Sequence, residues 1–501
     1  MKIITYDMLK SLGLTALVVF SLISCDTILN VDPRQSIDGF DALNTPENME
    51  AALNSPYARL RSVSAYGRNL TAFGDALADN GLATNNSGRI FNEARNQPYF
   101  HYTHWTNFYF GINELNLFLE AIPGIQSVPA VSQTTKNRWE GEAKFLRALF
   151  YFDLVKAYAY LPGVTVPELD KGGIPLVLEG VKTSDIEKAL NRQTARSSVE
   201  QVYLQIYSDL EDAIRLLNDS RGVQFASQTA SKALLSRVAL YNRDWEKAVD
   251  LSSEVLASAR GKLLEGEDYV AGWRMSVHPE SIFDLRFENA SESNGVNESI
   301  QATYTTIRNL ENTDQVGGWG DFIPNPVFVN LMGISVTGTG ASLAITNRGN
   351  DVRAFQYEVG PGRVANGSGR RMECIKFASK SGFAFGDNIP VIRKSEMLLN
   401  RMEAYFHLGK EDLALADLNT MKNARGLGNV LFEGEALLAE ILLERRKELA
   451  FEGHRFFDLK RYGRDIIKQQ GNIPFTDFRI LANIPQAEVD GNKNLDQNAG
   501  Y

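Results

Sequence analysis

The sequence predicts a mainly α-helical body of stacked helical hairpins, with long irregular loops and a few short strands set into it. Three observations carry this. Apolar residues recur with a helical period in adjacent pairs of segments. Between about 257 and 350 that period fades into stretches rich in Gly, Asn, Ser and Thr. The chain has 501 residues, 44% apolar and 23% charged, enough for a sizeable core. At roughly 150 residues per domain it holds about three domains or one interwoven body.

Lys2 and Lys10 precede an apolar stretch, Leu12 to Ile23, that is short for a bilayer span and suits a secretory signal. It closes on Leu22-Ile23-Ser24-Cys25, which resembles a bacterial lipobox. Residues 1–24 are therefore expected to be removed as a lipoprotein signal peptide, leaving Cys25 as a lipidated first residue that tethers the body to a membrane. Residues 28–36, with Asp32 and Pro33, read as the tether.

Trp105, Phe108, Tyr109 and Ile112 mark one helix, and Phe145, Ala148, Leu149 and Phe152 mark another that is apolar almost all round, hence sandwiched. Ala230, Leu234 and Val238 share a face; Asp244 is a candidate N-cap, and Ala248, Ser252 and Val255 continue on the next helix. Leu398, Met402 and Tyr405 repeat before a turn at Gly409-Lys410, and Ala414, Leu418 and Met421 repeat after it. The spacing of this tyrosine, glycine and alanine resembles a tetratricopeptide repeat. Ser281 to Phe287 reads as a strand, Leu77 to Gln97 as an irregular loop, and Gly349 to Arg371 as a flexible surface loop, because Gly lacks a side chain to pack. The closing stretch, Ile484 to Tyr501, is expected to wrap the body as an ordered tail.

A formal charge of -9 gives no electrostatic reason to bind nucleic acid. Two cysteines, Cys25 and Cys374, make no disulfide scaffold, and five histidines offer little for a metal centre. His101 and His104 are three apart, but with aromatic neighbours they read as packed near Trp105 and not as ligands. Neither a Gly-x-Ser-x-Gly elbow nor a His-Glu-x-x-His pair occurs, so no catalytic residue, metal or cofactor is expected.

Several blocks together resemble the SusD/RagB outer-membrane nutrient-binding lipoproteins of Bacteroidetes. They are Arg147 to Leu154 followed by Gly173 to Val177, which in the family is strand-like; Ser231-Lys232-Ala233 with Asp244-Trp245; and Ile389 to Arg393 leading into a helix. Glu444 to Arg455, Ile484 to Glu488 and Gln497 to Tyr501 complete the set. In the run from Glu444 to Glu452, opposite charges such as Glu444 and Lys447 lie three and four apart, so it reads as a structural ion-pair network.

The resemblance implies a helical-repeat region at 25–256 interwoven with a second region at 257–501. It also implies a cell-surface lipoprotein that binds a nutrient fragment, an oligosaccharide in the first reading, and acts as the lid of a SusC-like TonB-dependent transporter; a peptide or another non-glycan nutrient is the alternative cargo, and an extracellular hydrolase is a more distant reading. Sugar rings need aromatic faces and their hydroxyls need amide or guanidinium groups. Trp319, set in Gly317-Gly318-Trp319-Gly320, is the first candidate, with Asn85, Asn86 and Arg89 from the loop after Asp79. Trp273 and Tyr304 are further stacking candidates or core aromatics.

Overall fold

A computed structural model describes residues 43–125, 130–182, 184–363, 369–378 and 380–501. The expected signal peptide 1–24, Cys25 and the tether lie outside the described residues.

Helix α1 (Pro46–Leu60) starts where the Thr45 hydroxyl accepts the Asn48 amide at 3.2 Å, and Pro46 fills a first-turn position that needs no N–H. Helix α2 (Asn69–Ala76) is buried along its whole length and leads to strand β1 (Gly81–Ala83). Helices α3 (Trp105–Ala121) and α4 (Gln133–Tyr158) pack together. Every residue of α4 from Phe145 onward is buried, because α3 covers one side and α5 (Val199–Leu216) the other. A reciprocal cap between Ser198 and Gln201 starts α5. Helices α6 (Gln228–Asn242) and α7 (Trp245–Ala257) form the next hairpin, with the Asp244 carboxylate accepting the Lys247 amide as expected.

Strand β2 (Ser281–Leu285) precedes the short helix α8 (Ile300–Tyr304). Strands β3 (Phe322–Pro324), β4 (Ser335–Thr337), β5 (Ala344–Asn347), β6 (Tyr357–Gly360), β7 (Arg371–Cys374) and β8 (Ile389–Arg393) follow. They make four separate antiparallel pairs, β1 with β3, β2 with β8, β4 with β5 and β6 with β7. Leu82 faces Ile323 across the first pair. Helices α9 (Lys394–His407) and α10 (Glu411–Ala424) form the second expected hairpin, turning at Gly409. Leu398, Met402, Ala414, Leu418 and Met421 meet in one cluster, closed by Leu437 and Ile441 of α11 (Gly434–Glu448). Helix α9 also packs on α7, joining the two hairpins. Helix α12 (Arg455–Arg461) reaches back to α2, where a Cβ on Gly74 would lie 2.2 Å from the Gly453 backbone, so only two glycines permit that crossing.

The run from Glu444 to Glu452 is a buried ion-pair network, as its charge pattern suggested. Glu448 accepts from Arg393 at 2.6 Å and Arg425 at 2.8 Å, and Glu280 accepts from the same two arginines. Glu452 takes Arg393 and Lys376. Glu444 pairs across elements with Arg353, not along its helix with Lys447, since Glu444 points inward while Lys447 sits at the margin.

Two expectations need correction. Much of Gly349 to Arg371 is ordered structure, not a flexible loop: β6 pairs with β7, and Arg353 is buried on Asp351 and Glu444. Residues 364–368 lie outside the described residues. The Gly173 to Val177 segment pairs with no strand. Its backbone is met partly by Ser197, whose carbonyl accepts the Gly173 amide at 2.8 Å and whose amide donates to the Ile174 carbonyl at 3.1 Å, and partly by side chains, as Tyr109 Oη donates to the Pro175 carbonyl and Asn116 Nδ2 and Tyr151 Oη to that of Val177. Cys374 is buried and free. The C-terminal stretch is ordered as expected, with Asn498 Nδ2 donating to the Tyr158 and Ala482 carbonyls. No described helix is long and apolar enough to cross a membrane.

Candidate functional site

The connection from α8 to β3 doubles back on the end of α8. The Trp319 and Gly320 amides both donate to the Ala302 carbonyl at 2.9 Å, and the Gly317 amide donates to that of Thr306 at 2.8 Å. A Cβ on Gly318 would stand 2.0 Å from the Thr305 carbonyl, so glycine is required for this approach. The fold thus holds the Trp319 backbone down and leaves its indole half-buried, with Nε1 donating to Asn297 Oδ1 at 3.2 Å.

Pairing of β1 with β3 brings the segment after Ala83 against this loop. Thr84 Oγ1 donates to the Gly320 carbonyl at 2.7 Å, and Asn86 Nδ2 donates to the Trp319 carbonyl at 2.6 Å. Ser87 gives its amide and hydroxyl to Asp321 Oδ1 at 3.1 and 2.7 Å. Burial pushes the Asp321 carboxyl up to about 6, against the pull of those Ser87 donors. Asn85 sits exposed at the apex with φ +61°, a conformation asparagine tolerates.

Two guanidinium groups flank the indole. Arg363 lies over the ring, 3.8 Å from its centroid, and donates from Nη1 to the Gly318 carbonyl at 2.9 Å. Arg89 lies 5.7 Å from the centroid and donates from Nε to Glu298 Oε1 at 3.2 Å, a carboxylate that also pairs with Arg68. Behind the loop Glu373 accepts three bonds of 2.7 Å, from the Thr305 hydroxyl and the Thr306 amide and hydroxyl. Burial still dominates and pushes this carboxyl up to about 7.

The structure therefore gathers Trp319, Asn85, Asn86 and Arg89 into one patch. Asn86 fixes the loop through its amide, whereas Asn85 and the indole reach solvent. Trp273 and Tyr304 are not stacking surfaces. Both are fully buried, Trp273 among Lys376, Lys380 and Arg393, and Tyr304 edge-on to Phe451 with its hydroxyl on the Thr71 carbonyl. His101 and His104 are packed as expected: His104 touches Phe108 and Tyr158, and burial pushes it down to about 4. Among the described residues, no group of three or more His, Cys, Asp or Glu is placed to hold a metal ion.

Sequence reasoning missed Asn297, Glu298, Asp321 and Arg363, all of which touch the patch only through the fold. The one available signal for Arg363 was the Gly- and Arg-rich stretch around it. Two clefts sharing Leu82 adjoin the β1–β3 ribbon. One, of about 420 Å³, is walled by Ile323, Val336, Leu343, Arg371 and Met372; the other, of about 440 Å³, by Asp79, Arg446, Lys468 and Gln470.

The stacked hairpins form a helical-repeat scaffold, and known proteins share it. Residues 31–240 match the family described as starch-binding and associating with the outer membrane, and residues 375–501 match the SusD family. SusD-like protein P38 of Formosa agariphila is 24% identical over 536 residues, covering 98% of this chain and 99% of that protein. Among solved structures, a putative sugar binding protein from Bacteroides vulgatus superposes with a TM-score of 0.75 at 26% identity, covering 92% of this chain and 99% of the other. A SusD superfamily protein from Bacteroides thetaiotaomicron does so with 0.75 at 26%, covering 90% and 99%. The chain belongs to the SusD/RagB family.

Proposed function

We propose that the protein is a glycan-binding lipoprotein of the outer membrane that captures an oligosaccharide at the Trp319 patch and delivers it to a SusC-like TonB-dependent transporter, for which it acts as the lid. The observation that carries this reading is the half-buried indole, held on a glycine-built loop and flanked by guanidinium and amide groups. Such a patch offers an apolar face to a sugar ring and donors to its oxygens, which suits capture without chemistry. Support comes from the family description and from the sugar-binding designation of the Bacteroides vulgatus relative. In this reading Cys25, exposed after removal of 1–24, carries the lipid anchor, and regions 25–256 and 257–501 build one body around the site.

Burying one ring face contributes on the order of 1–2 kcal/mol, so Trp319→Ala should weaken glycan binding about tenfold. Isothermal titration against glycan and peptide libraries tests this. Binding of peptides alone, or glycan binding indifferent to Trp319→Ala, refutes it. Retention of the protein in detergent-soluble outer membranes, lost in Cys25→Ala, tests the anchor, and co-purification with a barrel transporter tests the lid.

A further inference from the structure

This inference rests on reading the protein as a glycan binder and adds a second place where it holds the sugar. We propose that the cleft of about 440 Å³ beside β1 is a saccharide subsite, in which Gln469, Gln470 and Arg446 meet the hydroxyls of a neutral sugar while Leu82, Val327 and Ile467 pack against its carbon face.

The cleft is built from four stretches far apart in the chain: β1, the Asn325 to Val327 turn, α11 and the loop after α12. Its walls are fixed. At the base of the loop Ile466 and Ile473 each donate an amide to the other's carbonyl at 2.9 Å. Lys468 gives its ammonium to the Ala76 and Ala94 carbonyls and to Asn96 Oδ1, at 2.7, 2.9 and 2.5 Å, so its three hydrogens are taken and the loop is anchored to the body. Gln469 and Gln470 stand exposed just beyond that anchor. On the facing wall Asn325 donates to the Asp79 carbonyl at 3.0 Å and accepts the Phe328 amide at 2.8 Å. The volume lies in the range of small-ligand sites, roughly 300–1,000 Å³.

The groups left for a ligand are those that recognise hydroxyls. Asp79 accepts two bonds from Arg455, at 2.7 and 2.8 Å, and pairs with Arg446. Arg446 gives Nε to Asn80 Oδ1 at 2.8 Å and Nη2 to the Asp79 carbonyl at 3.2 Å, and its Nη1 has no partner among the described residues. The charges are thus paired with one another, and two carboxamides and one guanidinium nitrogen remain. A carboxamide both donates and accepts, as a sugar hydroxyl does. Val327 and Ile467, each 60% exposed, line the same cleft, so aliphatic surface stands beside the amides. That combination fits a ring with a carbon face and a hydroxyl rim. Gly81 at the cleft and Thr84 at the Trp319 patch are three residues apart, about 10 Å in extended chain, so the two sites lie along one ribbon.

The test is isothermal titration and saturation-transfer NMR of the full mature protein with maltohexaose, cellohexaose, mannohexaose and xylohexaose. Trp319→Ala should retain weakened binding of at least one of these. Adding Gln469→Ala with Gln470→Ala, or Ile467→Asp, should weaken what remains ten-fold or more. All three side chains are exposed, so the circular dichroism spectrum should not change. Remaining binding that is indifferent to both sets of changes overturns the proposal, as does its absence in Trp319→Ala. Binding of an alternating threonine–valine hexapeptide more tightly than any of the four glycans, lost in the cleft variants, overturns the saccharide class. Glycan binding lost in the cleft variants but indifferent to Trp319→Ala would uphold this subsite and remove the patch as a site, whereas no glycan binding by the wild type would overturn both.

Discussion

Glu448 stands where three arginines converge, and converting it to glutamine tests whether the fold depends on that charge. Its carboxylate accepts from Arg425 through both oxygens at 2.8 Å, from Arg393 at 2.6 Å and from Arg353 at 3.3 Å, all fully buried. Glutamine keeps the shape, deletes the charge and turns an N–H₂ toward guanidinium donors. Removing one member of a buried ion pair typically costs about 3–5 kcal/mol, because the partner charges stay desolvated. Two charge-assisted contacts at roughly 1.5–3 kcal/mol each give a similar figure. An expected loss of about 4 kcal/mol is readable by urea denaturation followed by circular dichroism. Arg215→Ala is the control, since its pair with Asp212 is exposed and screened by solvent and its loss should leave the denaturation midpoint unmoved. Burial raises the Glu448 carboxyl, but the Arg425 and Arg393 charges outweigh it and hold the group well below the usual carboxylate range. Its stabilisation is therefore complete above that range and lost only in acid, so the wild-type advantage over Glu448→Gln should be constant from pH 6 to 8. A cost under about 1 kcal/mol, or an advantage that fades between pH 8 and 6, refutes the reasoning.

Glu373 should behave in the opposite sense. Burial raises it from 4.5 to about 7, so the native state holds the proton more tightly. The stability of wild type relative to Glu373→Gln should then be greatest below about pH 4.5 and fall by about 3 kcal/mol as pH rises through 7, which paired melts across that range would show. Trp273→Ala should cost about 3–5 kcal/mol in denaturant without changing ligand affinity in the folded fraction, since its ring is core and not site. Gly318→Ala should leave the far-ultraviolet spectrum intact yet weaken ligand binding ten-fold or more, because the new methyl group would drive the loop off the Thr305 carbonyl; titration at unchanged helicity is the check.

The parts of the fold visible in the sequence were those written locally. Leu398 to Met421 and Ala230 to Val255 declare their hairpins through spacing and caps, and a helix such as α4, apolar on every side, announces burial. Partnership at a distance was not written there. Gly173 to Val177 looks like a strand, but its backbone is met by the main chain of Ser197 and the side chains of Tyr109, Asn116 and Tyr151, about 25 to 65 residues away. Arg353 and Arg363 sit in a stretch whose glycines suggest slackness, and only the folded chain shows one anchored on Glu444 and the other laid over Trp319. At the patch, Trp319 was legible because small neighbours bracket it. The inward turn of Asn86 was not, because an asparagine side chain reads alike whether it serves a ligand or the backbone.

Asn498 donates to the Tyr158 carbonyl at the end of α4, and Arg455 clamps Asp79 with two bonds of 2.7 and 2.8 Å. Ties of this span set a schedule for biogenesis. The elements around Asp79 and Tyr158 therefore lack these closing contacts until residues 455 and 498 have been made, so their surfaces stay open through most of the time the described chain takes to be synthesised.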